Sequence, residues 1–100
     1  MKFDWDADKA KANLDKHGIS FEEACGVFYD PFAITVDDME HSVAEVRKKT
    51  VGLSVRLRVL IVVHTDKIDD NIRIISARKA SRQEVTDYEE EVKERLSRGK

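Results

Sequence analysis

Asn71-Ile72-Arg73-Ile74-Ile75-Ser76-Ala77-Arg78-Lys79-Ala80-Ser81-Arg82-Gln83-Glu84 is the stretch from which the fold is read. Ile72 to Ser76 is rich in β-branched residues and predicts an inner strand over Asn71–Ser76. Ser81 and Glu84 have the spacing of a capping box, which opens a helix. Arg78 and Lys79 therefore stand at the end of a strand, and Arg82 lies in the first turn of a helix. Cations oppose the helix dipole at that point. Their presence concentrates positive field beside free backbone N–H groups, which suits an anion such as a phosphate. The same residues also read as ordinary solvated charges on a strand–helix connection.

Working outward, Leu53 to Thr65 alternates Val55, Leu57, Val59, Ile61 and Val63 with Arg56, Arg58, Leu60, Val62 and His64. This is a β pattern, apolar on both faces over Leu60–Val63 as in a central strand. Asp66–Asp70 is a short polar turn, so this strand and Asn71–Ser76 form an antiparallel hairpin. Phe32–Val36 and a run ending near Gly52 supply two earlier strands. The last helix runs from Ser81 towards Leu96 with Val85, Tyr88, Val92 and Leu96 as its apolar stripe.

The N-terminal part is helical. Asp6 is an N-cap, Ala7, Ala10, Leu14 and His17 share a face, and Gly18 is placed for a left-handed C-cap. Asn13, Lys16 and His17 are its notable polar groups, with His17 read as a structural helix-end histidine. Ser20 and Glu23 cap a second helix with Phe21, Ala24, Cys25 and Phe28 on its inner face, ending at Asp30-Pro31. Cys25 has no basic or histidine neighbour one turn away and reads as a small apolar residue. The fold class that follows is α+β: a small antiparallel sheet packed against helices on one side, in the order α-α-β-β-β-β-α.

At 100 residues the chain is a single domain with one modest core. No apolar run reaches the roughly 18–20 residues of a membrane span, and Met1-Lys2-Phe3-Asp4 does not open a secretory signal. With one cysteine and no internal disulfide, a cytoplasmic protein without membrane contact is expected. The net charge of −2 conceals a division along the chain. Residues 1–45 carry four Lys or Arg against eleven Asp or Glu, residues 46–82 ten against three, and residues 83–100 four against six. The middle is thus strongly basic, and a local field of that sign is compatible with nucleic acid. Asp37, Asp38, Glu40 and His41 raise the question of a metal, but they lack the alternation and glycine of a calcium loop. No cofactor is expected.

Taken together, Trp5-Asp6, Asn13 with Lys16-His17-Gly18, Phe21-Glu22-Glu23-Ala24, Asp30-Pro31, His41-Ser42 with Glu45 and Arg47, Gly52-Leu53, Val62-Val63-His64-Thr65 and Arg73 to Ala80 resemble the BrnT toxins of type II toxin–antitoxin systems. Each piece is short; their joint order is specific and covers nearly the whole chain, with no motif beyond about Glu91. The resemblance implies a RelE-like fold and a metal-independent ribonuclease. It also implies a BrnA-like antitoxin with a ribbon-helix-helix domain, through which contact with operator DNA is made. Two departures concern a hairpin. The turn before the third strand lacks a glycine near Leu57, and Lys48 follows Arg47 where the family usually has a large apolar group.

Metal-free RNA cleavage needs a base for the 2′-hydroxyl, cations for the crowded phosphorane and an acid for the leaving 5′-oxygen. Arg58, Arg73 and Arg78 are candidates for the cationic role, since guanidinium stays protonated and grips phosphate as a fork. His64 and Lys79 are candidate titrating groups. Arg82, Glu45, Arg47 and Tyr88 are candidate substrate contacts. Arg58 and His64 are six apart, so one regular strand would place them on one face. The catalytic set on this reading is His64, Arg73, Arg78 and Lys79. Plain structural alternatives stand beside these: a strand-end histidine bonding a turn for His64, an ion pair of Arg73 with Asp66, Asp69 or Glu45, solvated charges for Arg78 and Lys79, and a core place for Tyr88. Two further readings stand beside the ribonuclease: a non-catalytic module that only binds an antitoxin, and direct DNA binding by the basic middle, for which no usual recognition helix is present.

Overall fold

The structure, a computed structural model, describes residues 1–40 and 46–99. In chain order the elements are β1 (Lys2–Asp4), α1 (Ala7–His17), α2 (Phe21–Cys25) running into a 3-10 turn (Gly26–Tyr29), β2 (Ile34–Asp37), β3 (Arg47–Leu53), β4 (Val59–Thr65), β5 (Asn71–Lys79) and α3 (Arg82–Arg98). The strands form one sheet in the order β1-β5-β4-β3-β2.

Two expectations are corrected here. The sheet is mixed: β1 runs parallel to β5, with Phe3 opposite Ile72, and the remaining pairs are antiparallel. A strand of three residues shows no alternation, which is why the opening of the chain did not read as one. The helices are also not confined to one side. α1 and α2 cover one face, carrying Ile19, Phe21 and Ala24 against Leu60, Val62, Ile72, Ile74 and Ala77. α3 lies over the other face, where Tyr88 meets Ile34, Val36, Val51 and Ile61 around one groove.

The alternating run Leu53–Thr65 is two strands' ends and a turn. Chain direction reverses over Ser54–Arg58, with Ser54 N donating to Arg58 O at 2.9 Å and Leu57 N to Ser54 O at 2.9 Å. Leu57 takes φ +62°, left-handed and disfavoured by roughly 1–2 kcal/mol for a residue with a Cβ. At this position a leucine thus stands where glycine would relieve strain. Gly52 serves a different need. A Cβ there would come within 2.8 Å of Val27, so its absence lets the 3-10 turn lie directly on β3. Lys48, the other departure, pairs with Asp37 at 2.7 Å across the β2–β3 ladder.

α1 has the predicted caps: Asp6 accepts from Lys9 N, and Gly18 has φ 71°. Its inward face differs from the predicted stripe. Leu14 is half exposed, and Asn13 is the residue that is buried. The reason lies on β5. β1 pairs only with Asn71–Arg73, so among the described residues no strand lies beside the upper edge of β5. The Asn13 carboxamide takes that place, donating to Ala77 O at 2.8 Å and Ile19 O at 2.9 Å and accepting from Ala77 N at 3.1 Å.

His64 is likewise part of this interior. It is 4 % exposed on the α1/α2 face, with its ring edge-on to Phe28 at 4.8 Å. Nδ1 donates to Thr65 O at 2.6 Å, which leaves Nε2 to accept from the Thr50 hydroxyl at 2.7 Å. Burial holds its pKa below the ordinary imidazole value, against the smaller upward pull of the Thr65 carbonyl.

Asn13→Ala strands the buried Ala77 and Ile19 groups and is expected to cost about 3 kcal/mol in urea unfolding; Asn13→Asp, which keeps only the acceptor, also destabilises. Because folded His64 binds a proton less readily than the unfolded ring, its contribution is complete above about pH 6.5 and is lost as pH falls below it. Thermal melts from pH 7.5 to 5 are expected to show a falling midpoint whose slope is reduced in His64→Gln.

Candidate functional site

The face of the sheet beneath α3 carries two rows of side chains. Lys49, Val63 and Ser76 are register partners across β3, β4 and β5, and Val51, Ile61 and Arg78 form the next row. A β-bulge decides this arrangement. Val63 pairs with Ser76 and His64 with Ile74, so Ile75 is an extra residue. Ile72 and Ile74 point into the core before it, and Ala77 does so after it. Unbroken alternation would have buried Arg78; the bulge puts it on the α3 face. Lys49 and Arg78 are roughly 12 Å apart at Cα from sheet spacing, within convergence range for two long side chains.

They line a cavity of about 280 Å³ together with Ile61, Val63, Ser76, Ala77, Glu40 and His17. His17 reaches it from the last turn of α1, half-buried one helical turn beyond Asn13. A groove of about 290 Å³ continues from this cavity, sharing Lys49 and Ile61 and passing Val36, Val51, Tyr88 and Asp87.

Arg78 is held by Glu84. Its Nη1 lies 2.8 Å from Oε1 and its Nη2 3.0 Å from Oε2, a bidentate pair. The predicted capping box forms as well: Glu84 Oε1 accepts from Ser81 N at 2.7 Å, and Ser81 Oγ from Glu84 N at 3.2 Å. The Arg78 hydrogen bonds, more than the Ser81 amide, hold the Glu84 carboxyl at about 2, and the same pairing raises Arg78. Tyr88 anchors α3 further along: its hydroxyl donates to Asp30 Oδ2, which also accepts from Leu53 N. Burial, then the Asp30 carboxylate, push the Tyr88 pKa up. Burial would raise Asp30, but the Tyr88 hydroxyl and the Leu53 and Phe32 amides together hold it low.

Of the predicted site residues, Arg78 lines the cavity and Tyr88 the adjoining groove. The others are dispersed. Arg73 shares the Arg78 face but stands about 15 Å further down β5, bonded to Asp4 at 3.1 Å beside Thr65, Asp66 and Ile68. Lys79 is the register partner of Leu60 and therefore points to the opposite face. Arg82 is exposed on the first turn of α3, and Arg47 is half-buried at the start of β3 opposite Thr65. His64 is enclosed on the core side. Arg58 is not on a strand: it lies past the β3–β4 turn and clasps Glu23 at 2.6 and 2.8 Å, so the expected Arg58–His64 face does not exist. Those bonds, joined by the Ser54 hydroxyl, hold Glu23 low despite burial. Glu45, with His41 and Ser42, lies outside the described residues.

Lys49, Ser76 and the inward reach of His17 were missed. Lys49 and Ser76 are found only once strand register and the bulge are known; His17 was visible as a polar helix-end residue, but not what it faces. Among the described residues no three His, Cys, Asp or Glu side chains are grouped to hold a metal ion. Cys25 is half-buried, and that burial pushes its thiol up to about 11, which leaves it a poor nucleophile.

An arginine fork, an ammonium and an imidazole around one cavity are equipped to hold a phosphodiester and move protons beside it. No curated protein matches the chain. The crystal structure of the Brucella abortus ribonuclease toxin, BrnT, matches with a TM-score of 0.64 and 25% identity, covering 82% of this chain and 99% of that one. The family model described as "Ribonuclease toxin, BrnT, of type II toxin-antitoxin system" matches residues 5–84. That span takes in both rows of the sheet and the Arg78–Glu84 pair, and the chain accordingly belongs to the BrnT family of ribonuclease toxins of type II toxin–antitoxin systems.

Proposed function

We propose that this protein is a metal-independent endoribonuclease whose scissile phosphate sits in the cavity between Arg78, Lys49 and His17. The observation that carries the reading is the convergence of these three groups from β5, β3 and α1 on one concave surface. His17 takes the 2′-hydroxyl proton, its imidazole lining the cavity from the last turn of α1. The 2′-oxygen bonds to phosphorus, Arg78 and Lys49 stabilise the added negative charge, and the P–O5′ bond breaks. The Lys49 ammonium supplies the proton to the leaving 5′-oxygen. Arg73, further along the same face, contacts the RNA away from the cut, and Arg82 adds field at the junction. Lys79 and Arg58 act outside the chemistry on this reading, and His64 supports the fold.

The chain's partner is a BrnA-like ribbon-helix-helix antitoxin, which covers this surface and carries operator DNA contact in a cytoplasmic complex, and the fold is RelE-like. A second reading is favoured by one fact: the Arg78 fork is already occupied by Glu84. On that reading the protein binds its antitoxin as a co-repressor and does not cut.

Purified protein is expected to cleave RNA equally with and without EDTA. Arg78→Ala should lower the rate about 10²–10³-fold and His17→Ala about 10²–10⁴-fold, with melting temperatures retained. Cleavage abolished by EDTA, or insensitive to both substitutions, overturns the proposal. Tight antitoxin binding with no cleavage supports the co-repressor.

A further inference from the structure

We infer that Glu84 is a positioning residue for RNA cleavage: it occupies one edge of the Arg78 guanidinium so that the other edge is presented, oriented, to a phosphate. The inference rests on the proposed ribonuclease reading and goes beyond it, because it assigns a catalytic purpose to α3.

A guanidinium has two hydrogen-bonding edges of use here. Glu84 takes the end-on edge, Nη1 and Nη2, at 2.8 and 3.0 Å. The side-on edge, Nε with the second Nη2 hydrogen, has no hydrogen-bond acceptor among the described residues. Arginine grips phosphate through two parallel N–H donors, and one such pair is left. The Arg78 side chain is 44 % exposed, so solvent and ligand reach it.

A lone arginine at a strand end samples many rotamers, and holding it in one costs side-chain entropy at the moment of binding. Glu84 removes that freedom beforehand. Its carboxylate is itself fixed twice, by accepting from the Ser81 backbone amide and by the anchoring of α3 through Tyr88 to Asp30. The restraint on Arg78 therefore comes from a helix terminus locked to the body of the protein, not from a mobile surface carboxylate. Glu84 also partly neutralises Arg78, which weakens ground-state grip on RNA while leaving the fork aligned for the more highly charged phosphorane. Binding energy is thereby withheld from the ground state.

This makes a distinctive expectation. Glu84→Gln keeps the size and one acceptor but removes the counter-charge and the second bond of the pair. With an RNA oligonucleotide substrate, kcat is expected to fall at least tenfold while KM also falls. The slope of log KM against log salt should steepen by about 0.7, because one more single-strand phosphate is fully neutralised by Arg78. Ser81→Ala is the control: it removes the hydroxyl half of the cap and leaves the Arg78–Glu84 pair, so it should lower the melting temperature with kcat, KM and salt slope unchanged. If Glu84→Gln behaves as Ser81→Ala does, Glu84 is only a helix cap and the inference fails while the ribonuclease reading stands. If the wild-type protein does not cut RNA, both fall together.

Discussion

The contact between the Asn13 carboxamide and the Ala77 peptide group is the constraint on which the rest of the structure depends. β5 runs well past β1, and its outer edge would otherwise present an amide and a carbonyl to the interior with no strand among the described residues beside them. Asn13 satisfies both and adds the carbonyl of Ile19. This one side chain therefore fixes where α1 docks, how the chain turns from α1 towards α2, and the phase of β5 beyond its bulge. With Ala77 held inward, Arg78 has to face outward. With Asn13 held against β5, His17 comes one turn later onto the rim of the cavity. The core and the reactive surface are set by the same hydrogen bonds.

Much of the fold was legible in the sequence. The caps at Asp6, Ser20 and Ser81, the left-handed Gly18 and the hairpin around Asp66–Asp70 all rest on local chemistry, which a short window of residues contains. What was illegible depends on distance. β1 becomes a strand only because β5 offers it an edge. The turn at Ser54–Arg58 hid because arginines and aliphatic residues keep alternating through it, and no glycine marks Leu57. Asn13 looked like a helix-surface residue because its partner, Ala77, is 64 positions away.

The site divides in the same way. Arg78 stood out from its place at the strand–helix junction, and Glu84 from its cap spacing. Their pairing did not, since six residues across a turn have no fixed geometry in sequence. Lys49 is invisible without the register of three strands. His64 misled because a histidine near the end of an apolar strand is equally suited to a core that needs one donor and one acceptor, which is what Thr65 and Thr50 require of it. The basic middle of the chain proves to be spread over both faces, with Arg58, Arg73 and Lys48 each facing a carboxylate. The charge excess in the sequence thus overstates the field available to a ligand.

α3 is 17 residues long, yet Tyr88 is its one buried side chain. Everything beyond that tyrosine is held to the body by little apolar contact; Leu96 is more than half exposed. A helix anchored near its start and free along its remainder opens from the free end at low cost. Backbone amides from about Val92 onward are therefore the ones that trade hydrogen for deuterium first, and a protease meets its earliest cleavage points there. The turn that carries Glu84 lies on the protected side of the anchor and outlasts that fraying.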